Sequence, residues 1–170
     1  MKIVLIVKVG QLDTGVGRYT SRLFTGLKAL EQEVVVVHPI IPFPEWLLRG
    51  VRSLLGWDLA EFFNNYPVWA RYPQADIYHI TSQNLATLML FHRPPGMTVI
   101  TVHDIIPWLV RKDRDSCIYR NRMHEWFDRL ALAGMRRAVV LVAVSRTTQA
   151  SLQQLDLAVG EVIIVMQGVD

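Results

Sequence analysis

A chain of 170 residues and 19.5 kDa is the size of one ordinary domain, long enough to bury a core without disulfides or a structural metal. Apolar residues make up 51% and charged residues 19%, which excludes a disordered chain. The longest apolar run, Ala138 to Val144, is far shorter than the roughly 20 residues of a membrane-spanning helix. Cys117 is the single cysteine, which excludes an internal disulfide framework and fits a reducing compartment. Met1 leads straight into an apolar run with no charged leader or cleavage site, so a soluble, cytoplasmic single domain spanning 1–170 is expected.

The net charge of +3 is unevenly spread. Between Arg111 and Arg137 the basic residues Arg111, Lys112, Arg114, Arg120, Arg122, Arg129, Arg136 and Arg137 face only Asp113, Asp115, Glu125 and Asp128. Such a window can attract phosphates, anionic lipid or nucleic acid, or be nothing more than a solvated helix face. No aromatic-interleaved signature accompanies it, so nucleic acid is not an expected partner.

In chain order, Lys2 to Val9 predicts a buried strand, because Ile3 to Val7 runs without a polar break. After a turn-rich stretch from Gly10 to Gly15, Val16, Tyr19, Leu23, Leu27 and Leu30 recur at three- and four-residue steps and predict an amphipathic helix. Val34 to Val37 predicts a second strand, stopped by His38-Pro39. Strand, helix, strand is a βαβ unit and implies a parallel sheet with a right-handed crossover. Leu47, Leu48, Val51, Leu54 and Leu55 then share one face of a basic helix flanked by Trp46 and Trp57. Such a helix packs on its own core or lies in a membrane interface.

The alternation continues. Asp76 to Ile80 predicts a strand, Asn84 to Leu90 a short helix behind a Ser82 cap, and Met97 to Val102 a strand after the turn at Arg93 to Gly96. Tyr119, Met123, Trp126, Phe127 and Leu130 space a long helix ending near Gly134. Val139 to Val144 predicts an apolar strand, Ser145 caps a helix to about Leu155, and Val162 to Val165 predicts the last strand. The expected architecture is α/β, a Rossmann-like parallel sheet of about six strands flanked by helices.

In such sheets ligands sit beyond the carboxyl ends of the strands. Three segments fall there: Asp13 to Tyr19, Thr101 to Asp104, and Val144 to Arg146. The first enters a helix N-terminus through glycines, whose free N–H groups and dipole favour an anion; Gly15 is the best-placed candidate, against the alternative of a plain tight turn. The spacing Gly10…Gly15-x-Gly17 is not GxGxxG and no acid follows the second strand, so a dinucleotide cofactor is not expected. His103 can donate to a sugar hydroxyl or move a proton, and Asp104 can orient that loop or cap the next turn. Ser145, His103 and Asp104 lack a GxSxG elbow, and the five histidines lack metal-ligand spacing. Asp113-Arg114-Asp115 matches a metal-binding D-x-D pattern, but the start of a surface helix explains it more simply. No metal is expected.

Five segments stand in an order that resembles the N-terminal half of a GT-B glycosyltransferase of family 4: Gly15-Val16-Gly17-Arg18-Tyr19, Asp76-Ile77-Tyr78-His79, Thr101 to Pro107, Val144-Ser145, and the closing Gly168-Val169-Asp170. The resemblance spans essentially the whole chain. It implies a retaining, metal-independent transfer of sugar from a UDP- or GDP-linked donor to a lipid, polysaccharide or other glycan, with no further cofactor. Gly15 and Val16 would lie at the donor diphosphate, and His103 at the transferred sugar with Asp104 shaping its loop. Arg18, Tyr19 and Ser145 would line the acceptor side. The family's second Rossmann domain, which supplies most donor contacts, has no counterpart in the 170 residues. It is expected in cis or as a separate subunit, with the chain weak or inactive alone. Many members of that family work on acceptors at the inner membrane face, so a peripheral contact of the basic helix with an anionic membrane surface there stands level with packing on its own core. The alternatives are a non-catalytic partner or membrane-docking subunit and, more weakly, a dinucleotide-dependent Rossmann enzyme.

Overall fold

A computed structural model describes residues 1–10, 14–113, 117–119, 121–157 and 160–166. Six strands, β1 (Lys2–Ile6), β2 (Glu33–Val37), β3 (Ile77–Ile80), β4 (Met97–Val102), β5 (Val140–Ala143) and β6 (Glu161–Ile164), form one sheet in the order β2-β1-β3-β4-β5-β6. Every pairing is parallel. Seven α-helices flank it among the described residues: α1 (Gly15–Ala29), α2 (Glu45–Leu55), α3 (Leu59–Asn65), α4 (Leu88–Phe91), α5 (Ile106–Leu109), α6 (Arg122–Met135) and α7 (Arg146–Gln154). The α/β, Rossmann-like expectation and its six strands are what the chain adopts.

The alternation along β1 divides the core. Ile3 and Leu5 point to one face, where Val34 and the α1 residues Leu23, Phe24 and Leu27 cover them. Val4 and Ile6 point to the other, into the larger cluster with Tyr78, Ile80, Leu88, Met89, Ile100 and Leu132. A strand covered on both faces has no use for a polar residue, which is why β1 reads as an unbroken apolar run.

Most element boundaries lie within a residue or two of the sequence expectation, β1 ending three residues short of Val9, and some elements differ in kind. The stretch after Ser82 is a 3-10 turn (Gln83–Thr87) followed by the single-turn α4, and Ser82 makes no side-chain cap bond. Tyr119 lies ahead of α6 rather than on it: Asn121 is the N-cap, its side chain accepting from His124 N–H at 3.0 Å. That helix ends at Met135, one residue past Gly134, as expected, but the glycine is there for a crossing and not for a cap. A Cβ there would stand 2.0 Å from the Ala86 carbonyl oxygen, so the glycine is what lets α6 cross the 3-10 turn at backbone distance. Helices α3 and α5 have no counterpart in the periodicity, being seven and four residues long.

Packing on its own core is not what α2 does. None of its residues is buried, its packing is against α3, and Trp46, Leu54 and Leu55 are 73%, 84% and 68% exposed. Among the described residues no helix is long and apolar enough to cross a membrane. The basic window is partly consumed internally: Arg111 donates to the Trp108 carbonyl and stacks 3.8 Å from its ring centroid, while Arg136 and Arg137 donate to the carbonyls of Asp156 and Met89. Arg114, Asp115 and Arg120, and with them the D-x-D pattern, lie outside the described residues, as do Asp13 and the closing Gly168-Val169-Asp170.

Candidate functional site

β2 and β3 lie on opposite sides of β1, so chain direction across the sheet reverses there and a crevice opens beyond the carboxyl ends of β1 and β3. Thr81 closes the base of this crevice: its N–H and its hydroxyl both donate to the Ile6 carbonyl, at 3.1 and 3.0 Å.

His103 is the first residue past β4, and hydrogen bonds to three other residues help to hold it. Its N–H donates to Gln83 Oε1 at 3.1 Å, its Nε2 donates to the Thr81 carbonyl at 2.9 Å, and its carbonyl accepts from Thr148 Oγ1 at 3.3 Å. A carbonyl only accepts, so the ring proton sits on Nε2. Burial pushes the imidazole below the usual histidine range and Lys8 adds to this, against the Thr81 carbonyl and Asp104. With its Nε2–H committed to Thr81, the neutral ring stands at the mouth of the crevice as a fixed, uncharged polar group rather than as a cation.

Tyr19, on the first turns of α1, meets His103 edge-on with ring centroids 5.1 Å apart. Its hydroxyl lies 2.8 Å from Thr101 Oγ1, which is also 2.8 Å from His79 Nε2. This buried chain ties α1 to β4 and β3. Burial, reinforced by His103, holds His79 down to about 4, so the pair of imidazoles is neutral at physiological pH.

At the start of α1, Thr14 caps the helix: its hydroxyl accepts from Gly17 N–H at 3.1 Å and its carbonyl from Arg18 N–H at 2.9 Å. The N–H groups of Gly15 and Val16 have no intrahelical acceptor, as in any first turn. Gly15 is exposed, lies outside the left-handed region, and a Cβ on it would meet no atom within 4 Å. Neither backbone conformation nor internal packing asks for glycine there.

The remaining expected residues have plainer placements. Asp104 Oδ1 accepts from Ile106 N–H at 3.3 Å and so shapes the entry to α5, the capping alternative for this residue. Ser145 is the N-cap of α7, accepting from Thr148 N–H at 3.0 Å and bonding the Thr148 hydroxyl at 2.9 Å. Through Thr148 it supports the His103 backbone. Arg18 is exposed and makes no side-chain bond among the described residues. The structure thus brings His103, Tyr19, Asp104 and, by way of Thr148, Ser145 around one crevice, with Gly15 and Val16 on the helix end beside Tyr19.

Two residues of this edge were not singled out from sequence. His79 looked like one of five scattered histidines; its position on the strand facing β4 is what gives it a partner. Lys8, two residues past β1, is 8% exposed and donates from Nζ to Asn65 Oδ1 at 2.7 Å, with burial lowering it to about 8. A lysine ending an apolar strand at the carboxyl edge was the available signal.

An all-parallel sheet with its polar cluster at the switch point defines a Rossmann-like α/β protein of the ligand-binding kind. The family model Glycosyltransferase Family 4 matches residues 14–170, and the chain belongs to that family. No curated protein matches the sequence.

Proposed function

We propose that this chain is the acceptor-side half of a GT-B enzyme that transfers a sugar, with retention and without a metal, from a UDP- or GDP-linked donor to a glycan or lipid acceptor. The observation that carries the reading is the open backbone at Gly15 beside the fixed His103–Tyr19 pair. The N–H groups of Gly15 and Val16, at the positive end of α1, receive the donor diphosphate. His103 accepts a hydrogen bond from a hydroxyl of the transferred sugar, and Asp104 holds its loop. Negative charge grows on the departing diphosphate as the glycosidic bond breaks, and oriented N–H groups stabilise it without reorganisation. Arg18, exposed next to Tyr19, borders the acceptor, and Ser145 contributes by fixing the loop. A second nucleotide-sugar domain, in cis or as a separate subunit, completes the donor contacts, and the chain alone turns over slowly or not at all. His103→Ala in the assembled enzyme should lower kcat by roughly tenfold or more with the fold intact. Wild-type turnover would remove His103 from the mechanism.

A second reading, a membrane-docking subunit, is favoured by α2. Its exposed Trp46, Leu54 and Leu55 suit insertion into the headgroup region, and Arg49 and Arg52 suit anionic lipid at the inner membrane face. Flotation with vesicles containing and lacking anionic lipid tests it. Absence of binding to both would end this reading and leave the transferase reading standing.

A further inference from the structure

A cavity of about 550 Å³ lies between the turn at Trp57, α3 and the segment ahead of α6, a volume within the range of about 300–1,000 Å³ usual for small-ligand pockets. Trp57, Phe62, Tyr66 and Tyr119 give it aromatic walls. Phe62 and Tyr66 pack their rings on one another and on Phe127. The Trp57 indole, 42% exposed, and the Tyr119 ring lie against no other ring among the described residues.

Two polar groups of this cavity have nothing in the fold to bond. Tyr66 is only 7% exposed, yet its hydroxyl has no hydrogen-bond partner among the described residues. The neighbouring Tyr119 shows the contrast, since its hydroxyl donates to the Asp128 carboxylate. Burial and the Asp128 charge hold the Tyr66 phenol well above the usual tyrosine range, so it keeps a proton to donate. The Asn84 side-chain amide is likewise without a partner there, its backbone carbonyl alone accepting from Thr87. A phenol this deeply buried and left unpaired is unfavourable to the fold, and a ligand in the cavity is what would pair it.

Charge selects the ligand. Asp58 and Glu61 line the cavity, and among the described residues no Lys or Arg side chain does. Asp58 is paired with Arg52 at 3.3 Å, but Glu61 has no ion-pair partner among the described residues, and the Asp128 carboxylate bonded to Tyr119 acts on Tyr66 as well. A phosphate would enter against this field. A sugar ring would not, because it is uncharged, has apolar C–H faces that suit indole and phenol rings, and carries a rim of hydroxyls for Tyr66 and Asn84. The cavity also adjoins the candidate site: Asn84 and Pro107 line it, and the same two residues line a small pocket that holds Asp104.

We propose that this cavity is the acceptor subsite and takes an uncharged sugar ring, its faces against Trp57 and Tyr119 and its hydroxyls on Tyr66 and Asn84. The inference rests on the glycosyl-transfer reading and narrows it: the acceptor presents a neutral sugar rather than a phosphorylated one.

The test is NMR of the isotope-labelled wild-type chain, titrated with the methyl glycosides of glucose, galactose, mannose and N-acetylglucosamine, with the 6-phosphates of the same sugars, and with choline. At least one glycoside should shift the Trp57 indole N–H and the Asn84 side-chain amide together, and its 6-phosphate should bind more weakly. Tyr66→Phe keeps the ring and removes only the unbonded hydroxyl, so it should hold its Tm and weaken that glycoside about three- to tenfold. Trp57→Ala, at an exposed position, should weaken it by a similar factor. If Tyr66→Phe does not fold, the wild-type titration and Trp57→Ala still decide. Absence of binding by every glycoside, tighter binding of a 6-phosphate, unchanged affinity in Tyr66→Phe, or a stronger response to choline would overturn the proposal, the last by giving the aromatic walls and carboxylates to a cation. UDP-induced shifts of the Gly15 and Val16 amides report separately on the underlying function. If those amides respond and no glycoside binds, only the acceptor subsite falls.

Discussion

Gly15 opens α1 in a backbone conformation that any residue adopts, and a methyl group built on it meets no atom within 4 Å beyond its own neighbours among the described residues. Gly15→Ala therefore tests whether something outside the chain needs that space. Within the fold, the change removes conformational freedom from the unfolded state alone, worth about 0.4–1 kcal/mol of added stability. For a domain of this size that raises Tm by about 1–4 °C. Toward a ligand the sign reverses. A diphosphate accepting hydrogen bonds from the Gly15 and Val16 N–H groups must approach closely, and the new methyl stands in its path. Losing one or two charge-assisted hydrogen bonds costs about 1.5–3 kcal/mol, or roughly ten- to hundredfold in affinity. Thermal unfolding followed by circular dichroism and calorimetric titration with UDP read the two effects on the same sample. A raised Tm with unchanged UDP affinity would refute the placement of the diphosphate at this helix end. A lowered Tm would refute the claim that the space is open.

His103→Gln, which keeps a hydrogen-bonding group of similar reach, should retain more of kcat than His103→Ala in the assembled enzyme; equal losses would point to a need for the ring itself. Gly134→Ala places a methyl 2.0 Å from the Ala86 carbonyl oxygen and should lower stability by about 1–3 kcal/mol, a drop of several degrees in Tm; an unchanged Tm would mean that α6 can shift freely. His79 is held neutral with its pKa near 4 against 6.5 unfolded, so the unfolded chain binds the extra proton as pH falls. Its contribution, up to roughly 3 kcal/mol, is present above about pH 6.5 and lost progressively toward pH 4. Chemical denaturation across that window should show the loss in the wild type and a flatter profile in His79→Gln.

The sheet was legible because parallel strands buried on both faces leave an uninterrupted apolar pattern, and Ile3 to Ile6 and Val140 to Ala143 carry it, while β4 is broken only by the buried Thr98 and Thr101. The helices α1, α6 and α7 were legible because each turns one face inward and buries residues there. Short elements had no such periodicity: α5 is one turn, and the turn at Gln83 is 3-10, where side chains repeat every three residues rather than 3.6. The end of α6 near Gly134 was legible, but the reason for the glycine was not: it is a crossing against Ala86, distant in sequence. His103 and Asp104 stood out by following an apolar strand. Lys8 and His79 did not, because what distinguishes them is burial and a partner on another element: Asn65 for one, Thr101 for the other.

His103 is fixed from four separate parts of the chain: Gln83 in the 3-10 turn, Thr81 at the end of β3, Thr148 on α7, and the Tyr19 ring on α1. Immobilising the imidazole before substrate arrives removes an ordering cost from the reaction, which is one way a single hydrogen bond acquires catalytic weight. The same contacts fix its protonation. Burial disfavours the cation, and the Thr81 carbonyl accepts a hydrogen bond from Nε2–H, so the ring is neutral; on the proposed reading the positive potential for a departing diphosphate would come from the α1 N-terminus. The pH dependence follows. Activity limited by His103 should be flat above the usual histidine range and fall only in acid, where the ring gains a proton and loses its acceptor nitrogen. A kcat/KM profile measured from about pH 5 to pH 9 in the assembled enzyme resolves this. An alkaline limb near pH 6.5, abolished in His103→Gln, would show that the ring acts as the imidazolium and would overturn the assignment of its proton.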